Sequence, residues 1–487
     1  MALINGAVLF GIATSFVVYL VATRIAAWKR LRHIPGPTGV GWSKWWLGRH
    51  QISGKMCKHM LVVGEKYGPV ARIAPNIVLC SDPTELRRIW SVRSGYRRSP
   101  WYKGFRFDPR KDNVLTAMDN KEHHRIRAHL LLGYSGKGLD SQEAIVDDQL
   151  TKFIALIERK YLSERSGHLR SMQMGLAFQL LANDITSAVE FGTSFGYIDA
   201  DSDYLGIIAT LESMLLGIQM MAMFPPLLAI VSSRLFKPLL PQPHDGSSMG
   251  RFLGLVQDRV DERYGDDKVR DMDVLQRFVE SGLTRSEVES EAVLHLLGAS
   301  DTTAMAIRTA VFYLSCTPHA CRALQAEIDA AVYTAARPVI TDTQAARLPY
   351  LQACCSDKDD VISGIPVPSG THVAWNAMGI MQNKVVFGED AAVFEPQRWL
   401  DAEPGKAREM EQVQGLVFAA GTRWECLGKR LAYMELGKIL FELFYRYDFS
   451  MVNPVEPFHW INQGLMVHGH MDVKIIRRES QRGGVSV

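Results

Sequence analysis

The chain has 487 residues, 47% of them hydrophobic and 22% charged, so it can bury a large core and has an ordinary globular composition. A net charge of only +3 argues against a nucleic-acid partner. Seven cysteines scattered over this length do not make a disulfide framework; they suit a reducing compartment in which one Cys has a special task.

Residues Ala2 to Thr23 carry no charged side chain, and as a helix they reach about 33 Å, enough for the hydrocarbon core of a bilayer. Positive charges follow the apolar run at Arg24, Lys29, Arg30 and Arg32, and no basic segment precedes it. That order favours a retained single-pass anchor over residues 1–23 rather than a cleaved signal peptide, with the C-terminal bulk cytosolic. His33-Ile34-Pro35-Gly36-Pro37 cannot continue a helix, so residues 24–40 read as a basic, proline-rich hinge. No linker or low-complexity run divides the chain after residue 50, and residues 41–487 are expected to form one large domain. Its periodic segments are mostly helical, with β-type patches at 70–77, 364–368 and 471–476. The predicted fold is mainly α with small β-sheets.

Within that domain, His123 and Arg127 stand four apart and share a helix face; a solvated basic face is the other reading of this run. The stretch 211–240 is apolar and Met-rich with a Pro225-Pro226 break, a core helix by default. A long apolar helix is predicted over 287–313, interrupted by Gly298-Ala299-Ser300-Asp301-Thr302-Thr303. Polar side chains in a buried helix need partners, so this cluster should face something polar. A kink stabilised by Thr hydrogen bonds to the preceding turn is the alternative. The adjacent Cys354-Cys355 reads as core packing. Near the end comes Phe418-Ala-Ala-Gly421-Thr-Arg423-Trp-Glu-Cys426-Leu-Gly428, feeding a predicted helix over 429–446. The glycines let the backbone pass close to a flat ligand, and the helix N-terminus stabilises negative charge on sulfur. A buried structural Cys is the plainer reading.

These segments together resemble the cytochrome P450 family, from Pro35 to Arg478 and in the family's order. The nearest likeness is to fungal microsomal members of the pisatin-demethylase-like type. The resemblance implies a haem-thiolate monooxygenase with Cys426 as the axial ligand of the haem iron. Phe418, Gly421, Arg423 and Gly428 would belong to the ligand loop, and His123 and Arg127 would hold a haem propionate. Thr302 would orient a proton donor to dioxygen, Asp301 would relay protons from solvent, and Ala299 would be the small residue beside the haem face. Residues 35–37 are similar to the proline hinge of microsomal members, and 211–240 to the region that covers the substrate channel and dips into the membrane. Implied partners are O₂, an apolar small-molecule substrate and an NADPH–cytochrome P450 reductase. The implied location is the endoplasmic reticulum membrane and the implied role fungal secondary metabolism.

Two departures stand out. Two residues, Trp424 and Glu425, separate Arg423 from Cys426 where the family has one. Phe394-Glu395-Pro396-Gln397-Arg398-Trp399 matches the segment whose Arg completes a buried Glu–Arg–Arg network, yet the helix carrying Glu-x-x-Arg is absent between Leu348-Pro-Tyr-Leu-Gln-Ala353 and Gly364. A buried Arg398 left without partners is expected to cost about 3–5 kcal/mol. A mis-spliced or degenerate member that fails to hold haem is therefore one alternative. An enzyme that rearranges its substrate without a reductase is another.

Overall fold

The computed structural model describes residues 2–106, 111–135, 141–165, 167–236, 238, 240–264, 273–332, 339–342 and 360–479. Helices dominate, with two three-stranded and two two-stranded sheets. The chain divides into two compact units, each built from three separate segments. Sequence composition anticipates one domain after residue 40, since no linker-like stretch marks the crossings between units.

The first unit comprises 1–99, 351–391 and 412–425. It opens with a helix over Ala2–Arg30, so the stretch expected as an anchor is helical throughout. Phe10, Val17, Val18 and Tyr19 on it are exposed. Among the described residues no single helix is long and apolar enough to cross a membrane. The pair Ile207–Met223 and Pro225–Val231, in the second unit, is so only together, and is bent by 117°.

The expected strand region 70–77 is a hairpin: Val70–Ala74 pairs antiparallel with Ile77–Cys80, Ala71 opposite Leu79. A third strand, His372–Trp375, runs parallel to the second with Val373 opposite Val78. Every residue of Val70–Ala74 is buried, and all but one are apolar, as suits a strand covered on both faces. The polar one is Arg72, itself only 3% exposed. Its guanidinium donates to the carbonyls of Ala27, Trp28, Gly41, Ala74 and Pro75. Its backbone N–H donates to Pro35 O at 2.7 Å. The proline segment is thus seated on the strand. At Gly36 only glycine fits, because a Cβ would lie 2.0 Å from Arg72 O. Residues 360–367 form a second hairpin, Asp360–Ile362 with Ile365–Val367.

The second unit comprises 100–350, 392–411 and 426–487 and holds the main apolar core. Its axis is a 32-residue helix, Arg285–Cys316, longer at both ends than the periodicity predicts. It starts at a capping box in which Thr284 and Glu287 satisfy each other's orphan donors. Packed on it are the helices Met174–Phe191 and Lys429–Arg446, the latter with its predicted bounds. The expected 471–476 strand is the centre of a sheet, pairing with Ser171–Gln173 and Tyr447–Met451.

Replacing Arg72 by Met should strand several buried carbonyls, each costing about 1–3 kcal/mol when unpaired. The expected outcome is a clear fall in the thermal unfolding midpoint. A midpoint within error of the parent would mean that those carbonyls find other donors.

Candidate active site

The long helix Arg285–Cys316 is buried on most of its circumference, but one stripe in mid-span is open. Gly298 and Thr302 are exposed, and Ala299, Met305 and Ala306 are half-buried. These positions fall on one helical face. A Cβ built at Gly298 would meet nothing within 4 Å. Open space against the middle of a core helix is what a bound flat group needs.

The polar cluster here divides its tasks. Ser300 donates to Leu296 O at 2.7 Å, and Thr302 donates to Gly298 O at 2.8 Å. The hydrogen bond of the alternative reading is therefore real, yet the helix runs on unbroken and the Thr302 hydroxyl stays on the open stripe. Asp301 points the other way: it is buried, and desolvation raises its carboxyl above the usual range while Arg308 opposes the rise. Thr303 is buried and hydrogen-bonds Glu435 of the Lys429–Arg446 helix.

Cys426 lies exposed, three residues before that helix begins. The other described cysteines are poor thiolates: burial pushes Cys80 up to about 12, and it also raises Cys57, Cys316 and Cys321. Tyr134, at the end of the helix Asn120–Tyr134, ties three elements together. Its ring lies edge-on to His295 of the long helix at 5.1 Å, and its Cε1 stands 4.0 Å from a Cβ built at Gly428. Burial pushes its phenol well up, with further contributions from Glu190, Glu291 and Cys426. The Cys426 loop, the open helix and the 120–134 helix therefore meet at one place.

On the 120–134 helix, Asp119 caps the N-terminus by accepting from Lys121 N and Glu122 N. Arg125 is occupied by Glu122 and by Glu287 of the long helix. His123 is buried and Arg127 half-buried, so the two residues expected at a propionate share a partly enclosed face. Gly136-Lys137, which follow, lie outside the described residues.

The upstream part of the ligand loop belongs to the first unit. Phe418 is half-buried, Ala419 and Gly421 take left-handed φ of 56° and 71°, and Gly421 N donates to Glu425 at 3.2 Å. Trp424, one of the two residues before Cys426, is buried, and the Arg423 guanidinium sits over its ring at 5.7 Å. Arg423 donates to the carbonyls of Val92, Ser94 and Tyr96. The residue expected beside a cofactor is thus engaged with main chain, and the loop takes up its extra length by burying an indole.

Arg398 is placed near the surface rather than deep in the core. It is half-buried and donates to Glu395 O and Val393 O, each at 3.2 Å. The expected penalty of about 3–5 kcal/mol applies to a fully buried, unpartnered Arg, and this one is only half-buried. Glu395 pairs instead with His319 at 2.9 Å, and Phe394 stacks on Tyr313 at 5.1 Å. Residues 348–353 and Cys354-Cys355 lie outside the described residues.

Residues 35–470 match the cytochrome P450 family. The chain belongs to that family. It is 32% identical to the cytochrome P450 monooxygenase ABA1 of Pyricularia oryzae, over 96% of this chain and 97% of that one. It is 29% identical to aba1 of Botryotinia fuckeliana over 92% of each, and 26% identical to cicH of Emericella nidulans over 92% and 94%. The alignment with the P. oryzae protein spans 497 positions, more than this chain's own length, so gaps fall on this side.

P450 proteins carry a haem iron with an axial cysteine thiolate, and the residues present fit one. Cys426 is exposed just before a helix start, and an open stripe of small residues runs along the long helix. No cluster of three His, Cys, Asp or Glu that could hold a bare ion occurs among the described residues. Sequence reasoning missed Glu435, Arg308 and the buried Glu190–His295 pair. The available signal was a charged side chain at a core-facing position of a helix.

Burial pushes Glu435 up to about 8 from an ordinary 4.5. The folded protein keeps this proton until about pH 8, whereas an unfolded chain loses it near pH 4.5. The stability it contributes is therefore full below about pH 4.5 and is lost as pH rises towards 8, at up to about 1.4 kcal/mol per pH unit. Unfolding followed across that range should show the decline, and Glu435→Gln should flatten it. An equal slope in both proteins would refute this assignment.

Proposed function

We propose that this chain is an anchored haem-thiolate monooxygenase that inserts one oxygen atom from O₂ into an apolar small molecule, in fungal secondary metabolism. The observation that carries the reading is that Tyr134 touches both His295, one turn before the open stripe of the long helix, and the loop at Gly428, two residues after exposed Cys426. The haem supplies O₂ binding and activation once its iron is held by Cys426. The protein's part is to place and protonate. Cys426 is the metal ligand, Gly428 leaves room for the loop to approach, and His123 with Arg127 offers donors to a propionate. Ala299, on the open stripe, would be the small side chain facing the haem. Thr302 presents its hydroxyl on the open face, and Asp301 behind it exchanges protons. Phe418, Gly421 and Arg423 belong to the segment leading to Cys426, where Arg423 acts through the carbonyls it holds.

No flavin or nucleotide fingerprint occurs in the chain, so electrons come from a separate NADPH–cytochrome P450 reductase, with Lys429 and Arg430 as cations for an acidic partner. The exposed apolar residues of the Ala2–Arg30 helix and the charges that follow them support anchoring in the endoplasmic reticulum membrane, with the bulk cytosolic. The bent 207–231 pair, with Leu227 and Ile230 exposed, supports a second contact with the bilayer.

A second reading, an impaired member that does not retain haem, is favoured by the engagement of Arg423 with main-chain carbonyls and by the missing Glu-x-x-Arg helix.

The carbon-monoxide difference spectrum of the reduced protein decides between them. A thiolate-type Soret band that disappears in Cys426→Ser supports the monooxygenase; absence of haem supports the impaired member. If the band is present, Asp301→Asn should keep it while lowering reductase-driven turnover about 100-fold, the low end of what a positioned proton donor contributes. Unchanged turnover would remove Asp301 from the mechanism.

A further inference from the structure

Asp301 is not alone in the core. Two helical turns further along the same helix stands Arg308, 2% exposed, with its Nη2 3.8 Å from Asp301 Oδ1. Seven residues bring the pair back to nearly the same face, and Cβ atoms tilt toward a helix's N-terminus, so the long Arg side chain reaches back along the axis to the shorter Asp. The opposite order would not close this gap.

Arg308 is held from outside its own helix. It donates to Gly175 O at 3.3 Å and Gln179 Oε1 at 3.4 Å, at the start of the Met174–Phe191 helix. It also donates to Met466 O at 3.0 Å, in the strand Met466–Gly469. Gln179 hydrogen-bonds Asp301 as well. These partners are neutral, so Asp301 is the closest counter-charge. The other ionisable groups facing the pair are few. Glu212 of the Ile207–Met223 helix is half-buried and acts on both Asp301 and Arg308, and His468 of the strand is held neutral to about pH 4 by burial and by Arg308. Asp301 Oδ2 is buried with no hydrogen-bond partner among the described residues.

A carboxyl this deep loses its charge unless a cation stands by it. We propose that Arg308 is a positioning residue for Asp301: its charge keeps that carboxyl ionisable inside the core and fixes Oδ1, leaving Oδ2 as the oxygen that exchanges protons. Arg308 itself touches neither the open stripe nor any substrate; it acts through Asp301. The inference rests on the reading of Asp301 as a proton carrier, but its test reads the ionisation of Asp301 directly.

The protonated-carboxyl infrared band of Asp301, assigned as the band that Asp301→Asn abolishes, is followed against pH in the full-length protein. Arg308→Gln keeps amide donors for the carbonyls and removes the charge; Arg308→Lys keeps the charge and loses the fork. The expected result is a midpoint at least one pH unit higher in Arg308→Gln, a tenfold change in the protonation equilibrium, with Arg308→Lys close to the parent. Two results overturn the proposal: an unmoved midpoint in Arg308→Gln, or an equal shift in both variants. Either would leave Arg308 a pin between the helix and its neighbours. The effect of Asp301→Asn on turnover judges the monooxygenase reading separately. Should Arg308→Gln fail to fold, Arg308→Met takes its place in the same comparison.

Discussion

A helix that runs through the middle of a core has no water to satisfy polar side chains, so each one must find a partner or an opening. The middle of the Arg285–Cys316 helix meets that demand with identifiable partners. Ser300 and Thr302 turn to the carbonyls of the preceding turn, Thr303 to Glu435, and Asp301 to Arg308. The opening is the stripe around Gly298 and Thr302. The Lys429–Arg446 helix must lie where Glu435 reaches Thr303, and the Met174–Phe191 helix where Gly175 and Gln179 reach Arg308. One helix's polar obligations thus dictate the placement of its neighbours.

The two arginines associated with the family's cofactor-supporting structure show how a chain copes when a supporting segment is missing. Arg398 and Arg423 both donate to main-chain carbonyls, at Glu395 and Val393 in one case and at Val92, Ser94 and Tyr96 in the other. A guanidinium has five donors in a fixed fork, and loop carbonyls are an adequate substitute for carboxylates where water is near.

Much of this was legible in the residues. The 429–446 helix, the long helix with its polar interruption, and the strands near 70, 365 and 472 follow from periodicity and punctuation, and Cys426 stands out by its glycines and the helix after it. What stayed hidden depends on distance in the sequence. Nothing near Arg308 says that it reaches Asp301 rather than solvent, and nothing near Glu435 says that it meets Thr303, 132 positions earlier in the chain. The strand His372–Trp375 was missed because its parallel partner is some 300 residues away and gives it no local signature. The direction of Arg423 was invisible for a related reason. An inserted residue changes where a side chain points without changing which residues are present.

The seating of Pro35, Gly36 and Gly41 around Arg72 makes the beginning of the chain part of the first unit's architecture. Shortening the protein to make it easier to handle in solution is then a choice with a threshold. A version starting near Thr23 keeps Ala27, Trp28 and Gly41 as acceptors and the stack of Trp28 on Trp42. One starting beyond Gly41 removes three of the five carbonyls and leaves a cation in a buried strand facing a hole. Where the cut is made, rather than how much hydrophobic sequence it removes, determines whether the remainder is the same protein.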